Sequence, residues 1–297
     1  MSVHAWLTAE TADSDLHANL QRLYAGTRSV LRNPLGLAGL IVILALILVA
    51  AFAPVLATYS PYEQNLQAPL LPPGGDHIMG TDELGRDIWS RLVYGARITL
   101  LIVVLVSVIA APLGLLLGTV SGTMGGIVDI AIMRVTDLFL AFPSLILALA
   151  FVAALGPGLE NAIVAIALTA WPPIARLARA ETLVVRGSDY IAAVRLQGAS
   201  TLRLILRHVV PMCIPSVVVR VTLNMAAVIL TAAGLGFLGL GAQPPTAEWG
   251  AMVSTGRRYM LDSWWVVTMP GIAILTVSLA FNLFGDALRD VLDPRGE

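Results

Sequence analysis

Few residues in this sequence are arranged for catalysis. The four histidines, His4, His17, His77 and His208, are scattered and show no metal-ligand spacing. The single cysteine, Cys213, excludes an intrachain disulfide framework, and there is no C-x-x-C pair and no H-E-x-x-H motif. All 18 basic residues are arginine. A phosphate-binding P-loop needs a lysine after its second glycine to reach the β- and γ-phosphates. The chain therefore carries no ordinary nucleotide-hydrolysing P-loop. No catalytic, cofactor-binding or metal-ligating residues are expected in it, and if ATP drives it, the nucleotide and its Mg sit on another polypeptide. The stretch where such an outside force could enter is Ser188–Pro211, SDYIAAVRLQGASTLRLILRHVVP. It reads as two short helices joined at Gly198 and stopped by Pro211.

The elements around that stretch are apolar. The chain has 297 residues, of which 57% are hydrophobic and 12% charged, and its mean hydropathy is +0.83. A soluble domain cannot hide that much apolar surface behind so few charges, so the chain reads as an all-α polytopic membrane protein. The formal charge of −1 gives no footprint for nucleic acid. A spanning helix needs about 20 apolar residues. Runs meeting that demand fall at Leu35–Leu56, Ile98–Thr119, Ile130–Leu155, Leu159–Ile174 (short, ending in Trp171-Pro172-Pro173), Ile214–Leu238 and Trp265–Phe284, six in all. Residues 1–33 are polar and mixed in charge, unlike a cleavable signal peptide. Arginines 176, 179, 186, 195, 203 and 207 make the densest basic stretch, which the positive-inside bias places in the cytoplasm together with both termini. Topology alone also explains those arginines. The loops 58–96 and 239–263 are then external, against the minority evidence of Arg86 and Arg91.

Within that frame, Met79–Leu100 (MGTDELGRDIWSRLVYGARITL) reads as an interfacial helix, capped by Thr81 with Asp82 and Glu83 in its first turn. Gly114, Gly118, Gly122 and Gly126 recur every four residues and make a flat seam for a neighbouring helix. Close packing within the chain is the preferred reading; a subunit interface or moving seam is the alternative. Pro112 before it permits a kink. Asp137 is the deepest carboxylate, and Arg134 shares its helix face, so a structural ion pair is preferred over a substrate contact. Arg220 has no visible partner. Gly234–Gly241 (GLGFLGLG) is too glycine-rich for a rigid helix, and either lines a cavity or is a simple loop.

In Ser188–Pro211, Ser188 is an N-cap and Asp189 suits the first turn. Ile191 and Val194 point one way and Ala192 and Ala193 leave a bare face. Gly198 is expected to take the left-handed conformation, and Ser200 to cap a second helix anchored by Leu202 and Leu206. Such a helix suits insertion into a groove on a partner. With Arg207-His208-Val209-Val210-Pro211 after it, the stretch resembles the EAA loop of the permease subunits of bacterial ABC importers. Met79–Leu100, Asp137–Leu149, Gly236–Gly250 and Phe281–Arg295 resemble one branch of that family, the C-type permeases of dipeptide, oligopeptide and nickel importers.

The resemblance implies a type I ABC permease fold with six transmembrane helices and a cytoplasmic coupling helix. Its divisions would be a cytoplasmic tail (1–34), a first span and external loop (35–96), a five-helix core (97–286) with coupling loop 176–212, and a cytoplasmic C-terminal tail (287–297). It implies a subunit of the bacterial inner membrane, embedded in lipid, that forms half of a peptide pathway by alternating access. The implied partners are a second related permease, two ATPase subunits or a fused equivalent, and an external substrate-binding protein. Nickel chelates, glutathione and haem are alternative cargoes, and an ion-driven secondary transporter is the reading from another class. Contacts with the ATPase would come from Asp189, Tyr190, Ala192, Ala193, Arg195, Gly198, Ala199 and Arg203. The external signature is Gly80, Thr81, Asp82, Gly85, Arg86 and Asp87, and the intramembrane polar residues are Arg134, Asp137 and Arg220. Two positions depart from the family. Ala192-Ala193-Val194 replaces Glu-Ala-Ala, and Ala232 stands where relatives commonly carry a glutamate.

Overall fold

A computed structural model describes residues 31–292 throughout and, before them, residues 14, 17, 21, 24 and 28 alone. The tail readings for most of residues 1–30 and for 293–297 lie outside the described residues. Among those described, helix dominates and β pairing is confined to two isolated bridges.

Asn33 starts the first helix by accepting from the amides of Leu35 (3.1 Å) and Gly36 (3.2 Å). The helices are α1 Pro34–Ala51, α2 Ala53–Leu56, α3 Ile88–Met124, α4 Gly126–Leu140, α5 Ser144–Leu155, α6 Leu159–Arg186, α7 Asp189–Leu196, α8 Thr201–Leu204, α9 Val210–Phe237, α10 Trp249–Gly256 and α11 Trp265–Leu292. Five are long and apolar enough to cross a membrane, or six if the pair α4–α5 is one span. That pair turns through 93°. The run Ile130–Leu155 is thus bent sharply, as a broken span or a re-entrant loop, where one span is the expectation. Pro143 explains the break, since its missing N–H and its clash with the preceding turn stop α4.

Three further boundaries differ from the sequence reading. Residues 88–124 form one helix of 37 residues, so the interfacial segment and the second span are continuous. Its cap is Asp87, which accepts from the Ser90 amide at 2.8 Å, and Thr81 caps nothing. Pro172 and Pro173 lie inside α6, which runs on to Arg186 and is the most enclosed of the spans. Neighbouring helices make such prolines tolerable in a membrane. Pro211 lies just beyond a π-helical turn, inside a continuous helical run, so it does not stop the second short helix. Instead α8 passes through a single π-helical turn, Ile205–Val209, straight into α9.

The core is organised around the contact of α3 with α6, the most extensive in the molecule. A Cβ at Gly114 would stand 2.7 Å from Ile174 Cβ, one at Gly118 2.7 Å from Ala178 Cβ, and one at Gly122 2.7 Å from Thr182 Cβ. Three glycines of the four-residue series therefore form an intrachain seam. Gly126 does not belong to it, since its φ of +56° starts α4 and nothing lies near its missing side chain. α10 is pinned to the opposite end of α3 by Trp249, whose ring nitrogen donates to Leu92 O at 3.1 Å. The glycine-rich stretch resolves in part as helix, to Phe237, and then as a loop in which Gln243 donates to the carbonyls of Gly239 and Gly241 (both 3.0 Å).

Overpacking a close helix contact costs about 1–3 kcal/mol. Gly118→Ala is therefore expected to lower the melting temperature of the detergent-solubilised protein by several degrees. Gly271→Ala, inside α11 with nothing within 4 Å, serves as the neutral control.

Candidate functional site

The stretch Ser188–Val209 folds back on the bundle as a joint. Ser188 Oγ donates to Val185 O at 2.7 Å and receives the Ile191 amide at 3.4 Å, which closes α6 and opens α7 in one residue. Gly198 has φ +80° and Ala199 N donates to Val194 O at 3.4 Å, ending α7 in the left-handed turn expected of it. Ser200 caps α8 by accepting from the Arg203 amide at 3.4 Å. Ile191 and Val194 are buried with Leu204, Val209 and Cys213 in a small second core. The anchors of the second helix are thus Leu204, Ile205 and Val209; Leu202 and Leu206 are 67% and 51% exposed. The extra residue of the π-helical turn shifts the inward face by one position, which a regular helical reading misses.

The outer face of α7 presents Asp189, Tyr190, Ala192, Ala193 and Arg195, all exposed, with Leu196 at 90% exposure projecting beyond them. Gly198 and Arg203 are exposed as well, while Ala199 is half-buried and lines, with Arg195, a shallow cleft against Thr123 and Met124. Tyr190 is not free to swing, because its hydroxyl lies 2.7 Å from His208 Nδ1. Leu196 escapes a search for charged contacts. Its signal in the sequence is a large apolar residue out of register with Ile191 and Val194.

Above the joint, α6 carries three arginine arms. Arg179 holds Asp129 of α4 with two bonds, Nε to Oδ1 at 2.6 Å and Nη2 to Oδ2 at 2.7 Å, and Ser121 of α3 hydrogen-bonds the same carboxylate. Arg176 pairs with Asp137 at 2.5 Å. Arg186 donates to Gly122 O at 3.2 Å. The Arg134–Asp137 pairing expected from helical spacing is therefore replaced by a pairing between helices, and Arg134 makes no ion pair among the described residues. Asp137 is met across the α4–α6 contact by Arg176 Nη2, a neighbour that spacing along one helix does not nominate. Arg220 is exposed on α9 and also has no ion pair among the described residues. Ala232 is buried beside Thr99, Ile102, Trp249 and Glu248.

At the far end of the bundle the signature residues form a knot rather than an open surface. Gly80, Thr81, Asp82, Gly85, Arg86 and Asp87 are all buried. Thr81 Oγ1 donates to Ala68 O and accepts from the Leu71 amide, both at 2.8 Å. Asp82 accepts from the Leu84 and Arg86 amides (2.9 Å each) and from Arg86 Nε at 2.6 Å. Gly85, at φ +71°, lies so close to Asn65 that its missing Cβ would stand 3.2 Å from Asn65 Cα. Asp87 receives Ser90 and lies 3.0 Å from His77 Nδ1. The exposed apolar groups of this loop are Tyr62, Leu66, Leu71 and Ile78. Glu248, which the sequence reading passes over, is buried and caps α10 through the amides of Gly250 (2.8 Å) and Ala251 (2.7 Å). Burial pushes its carboxyl pKa up, against the pull of those two amides.

Removing one partner of a bidentate, partly buried pair leaves the other unsatisfied, at about 1–3 kcal/mol. Asp129→Ala and Arg179→Ala are each expected to lower thermal stability. The double variant should cost clearly less than the sum of the two, in a double-mutant cycle read by melting temperature.

Comparison with known proteins places this geometry. Residues 110–296 match the family described as binding-protein-dependent transport system inner membrane component, and residues 27–73 match the N-terminal transmembrane domain of oligopeptide transport permease C. The chain is 49% identical over 270 residues to the dipeptide transport system permease protein DppC of Escherichia coli K12, covering 89% of this chain and 90% of that one. It is 47% identical over 263 residues to the probable D,D-dipeptide transport system permease protein DdpC of the same organism, covering 89% and 88%. It is also 47% identical over 278 residues to the di/tripeptide permease protein DppC of Pseudomonas aeruginosa, covering 90% of each. The fold is similar to the MetNI methionine ABC transporter in inward-facing form, with a TM-score of 0.55, 22% identity, and coverage of 69% of this chain and 97% of that one. The chain belongs to the family of binding-protein-dependent transport system inner-membrane components, the permease subunits of ABC importers.

Proposed function

We propose that this permease subunit carries di- or oligopeptides across a bacterial inner membrane, and that α7 is the coupling helix through which an ATPase moves it. The observation that carries the coupling reading is the two-sidedness of α7. Ile191 and Val194 fasten it to α8, α9 and Cys213, while Ala192, Ala193, Arg195 and Leu196 are left uncovered. The peptide reading is supported by the printed names of the relatives, which are dipeptide and di/tripeptide permeases.

In this reading α6, α7 and α9 transmit one motion. The ATPases, with their ATP and Mg, press on α7. The force passes into α6 by direct chain continuity and into α4 through Arg179 and Asp129. It passes into α9 through the small second core. Alternating exposure of the passage follows from tilting these helices. The arginine-rich end, both termini and α7 are cytoplasmic, while loop 58–87 and α10 face outward. The exposed Tyr62, Leu66, Leu71 and Ile78 of that loop then meet the substrate-binding protein, and the buried signature beneath them holds their shape. A second, related permease completes the passage as a heterodimer. With alanine at 192 in place of the usual glutamate, the joint engages by shape and backbone contacts, with Arg195 and Arg203 as the charged members. The divisions 1–34, 35–96, 97–286 and 287–297 are retained as the working boundaries.

Single cysteines along 189–197, in a Cys213→Ser background of the assembled complex, test the joint. Cross-linking to the ATPase should peak at Ala193→Cys and Leu196→Cys, be negligible at Ile191→Cys and Val194→Cys, and change with nucleotide. Absence of cross-links along the whole helix would refute the coupling assignment.

A further inference from the structure

The spans differ in what they leave uncovered. The outward residues of α1 include Leu35, Ile41, Leu44 and Leu48, and those of α3 include Leu101, Val104, Leu105 and Val108. These are faces suited to lipid. α9 is different. One side of it, with Val217, Ala226, Val228, Ile229 and Leu235, is buried in the bundle. Along the other side run Ser216, Arg220, Asn224, Ala227 and Thr231, at steps of four, four, three and four. That spacing keeps them on one face of a helix, rising about 22 Å from Ser216 to Thr231. Arg220 and Ala227 are exposed, and Ser216, Asn224 and Thr231 are half-buried.

The hydrogen-bonding demand of this face is unmet. Thr231 returns its hydroxyl to Ala227 O at 2.8 Å. Among the described residues, neither the Arg220 guanidinium nor the Asn224 amide has a hydrogen-bond partner, whereas Asp129, Asp137, Arg176 and Arg179 are all paired. An arginine facing hydrocarbon costs at least about 2.5–3.5 kcal/mol, so such groups face water or a partner. A second feature points the same way. The break between α4 and α5 leaves residues 141–146 exposed, in the middle of the apolar run Ile130–Leu155. Irregular backbone is not tolerated against lipid, only against protein or a water-filled cavity. This break adjoins the same face of α9, since a Cβ at Gly234 would stand 3.2 Å from Leu145 Cδ1.

We propose that the Ser216–Thr231 face of α9 and the α4–α5 break line the water-filled substrate passage, and that Arg220 receives a carboxylate of the passing peptide. The peptide half of this proposal rests on the reading in the preceding subsection. A peptide always carries a carboxylate, and a free guanidinium offers the fork that matches it. Arg220 is then a binding residue of the passage, distinct from the paired arginines of α6.

The test uses the complete transporter in proteoliposomes, in the Cys213→Ser background. Asn224→Cys and Ala227→Cys should react with a charged methanethiosulfonate reagent at least about tenfold faster than Val104→Cys on the apolar face of α3. Arg220→Gln should lower peptide uptake about tenfold while ATPase stimulation by loaded binding protein persists, and Arg220→Lys should restore much of the uptake. Labelling at the Val104→Cys rate would overturn the passage assignment. Unchanged uptake by Arg220→Gln would overturn the carboxylate contact. If the unmutated complex took up no peptide, the peptide reading would fall, and the thiol reactivities would still decide whether this face lines the passage.

Discussion

The close approach of α3 to α6 is the contact on which the rest depends. Lipid tails are as apolar as leucine, so helices in a bilayer are not driven together by hydrophobicity but by fit. Gly114, Gly118 and Gly122 supply that fit by letting the α6 backbone and its small side chains, Ala178 and Thr182 among them, sit against α3 without an intervening layer. α6 can then occupy the most enclosed place in the bundle despite two prolines, because α3, α4, α5 and α9 pack against it.

From that position α6 distributes what happens at its end. It turns into α7 across Gly187 and Ser188 alone, so little slack separates the exposed face of α7 from the bundle. Its arginines reach α4 by Asp129 and Asp137 and the end of α3 by the Gly122 carbonyl. The small core of Ile191, Val194, Leu204, Val209 and Cys213 ties the same joint to the start of α9. α7 is thus tied at once, through α6, to the bent pair α4–α5 and, through the small core, to α9, which bears the unpaired Arg220. At the opposite end, the buried Asp82, Arg86 and Asp87 knit loop 58–87 together and onto the start of α3. Buried charges of this kind serve shape only if they are satisfied: Asp82 and Arg86 pair with each other, and Asp87 is hydrogen-bonded by Ser90 and His77.

What the sequence reveals is what is local. Charge-free runs mark the spans, Ser188, Gly198 and Ser200 mark the joint by cap and turn chemistry, and glycines at four-residue steps mark a seam. The family resemblance of the motifs agrees with the matches along the chain. What it conceals is set by neighbours distant in the chain. Asp137 takes Arg176 in place of Arg134, a partner 39 positions away that helical spacing cannot nominate. Pro172 and Pro173 read as a stop because the support that lets a helix run through them comes from other spans. Thr81 and Asp87 are both competent caps, and only the packing of Gly80 against Trp265 and of Gly85 against Asn65 shows which one opens the helix. The π-helical turn changes which leucines face inward, and no local signal announces it. The coupling partner, the passage and the orientation are properties of an assembly, and the contacts within one chain support them only by what they leave uncovered.

The central claim is that α6, α7 and α9 transmit one motion and carry α4 with them through Arg179 and Asp129. Pulsed electron-spin distance measurements on the reconstituted complex test it most directly, with labels on Ala193→Cys of α7 paired either with Ile130→Cys of α4 or with Leu44→Cys of α1. Across the nucleotide cycle the α7–α4 distance should stay constant while the α7–α1 distance changes. An α7–α4 distance that changes as much as the α7–α1 distance would contradict the account.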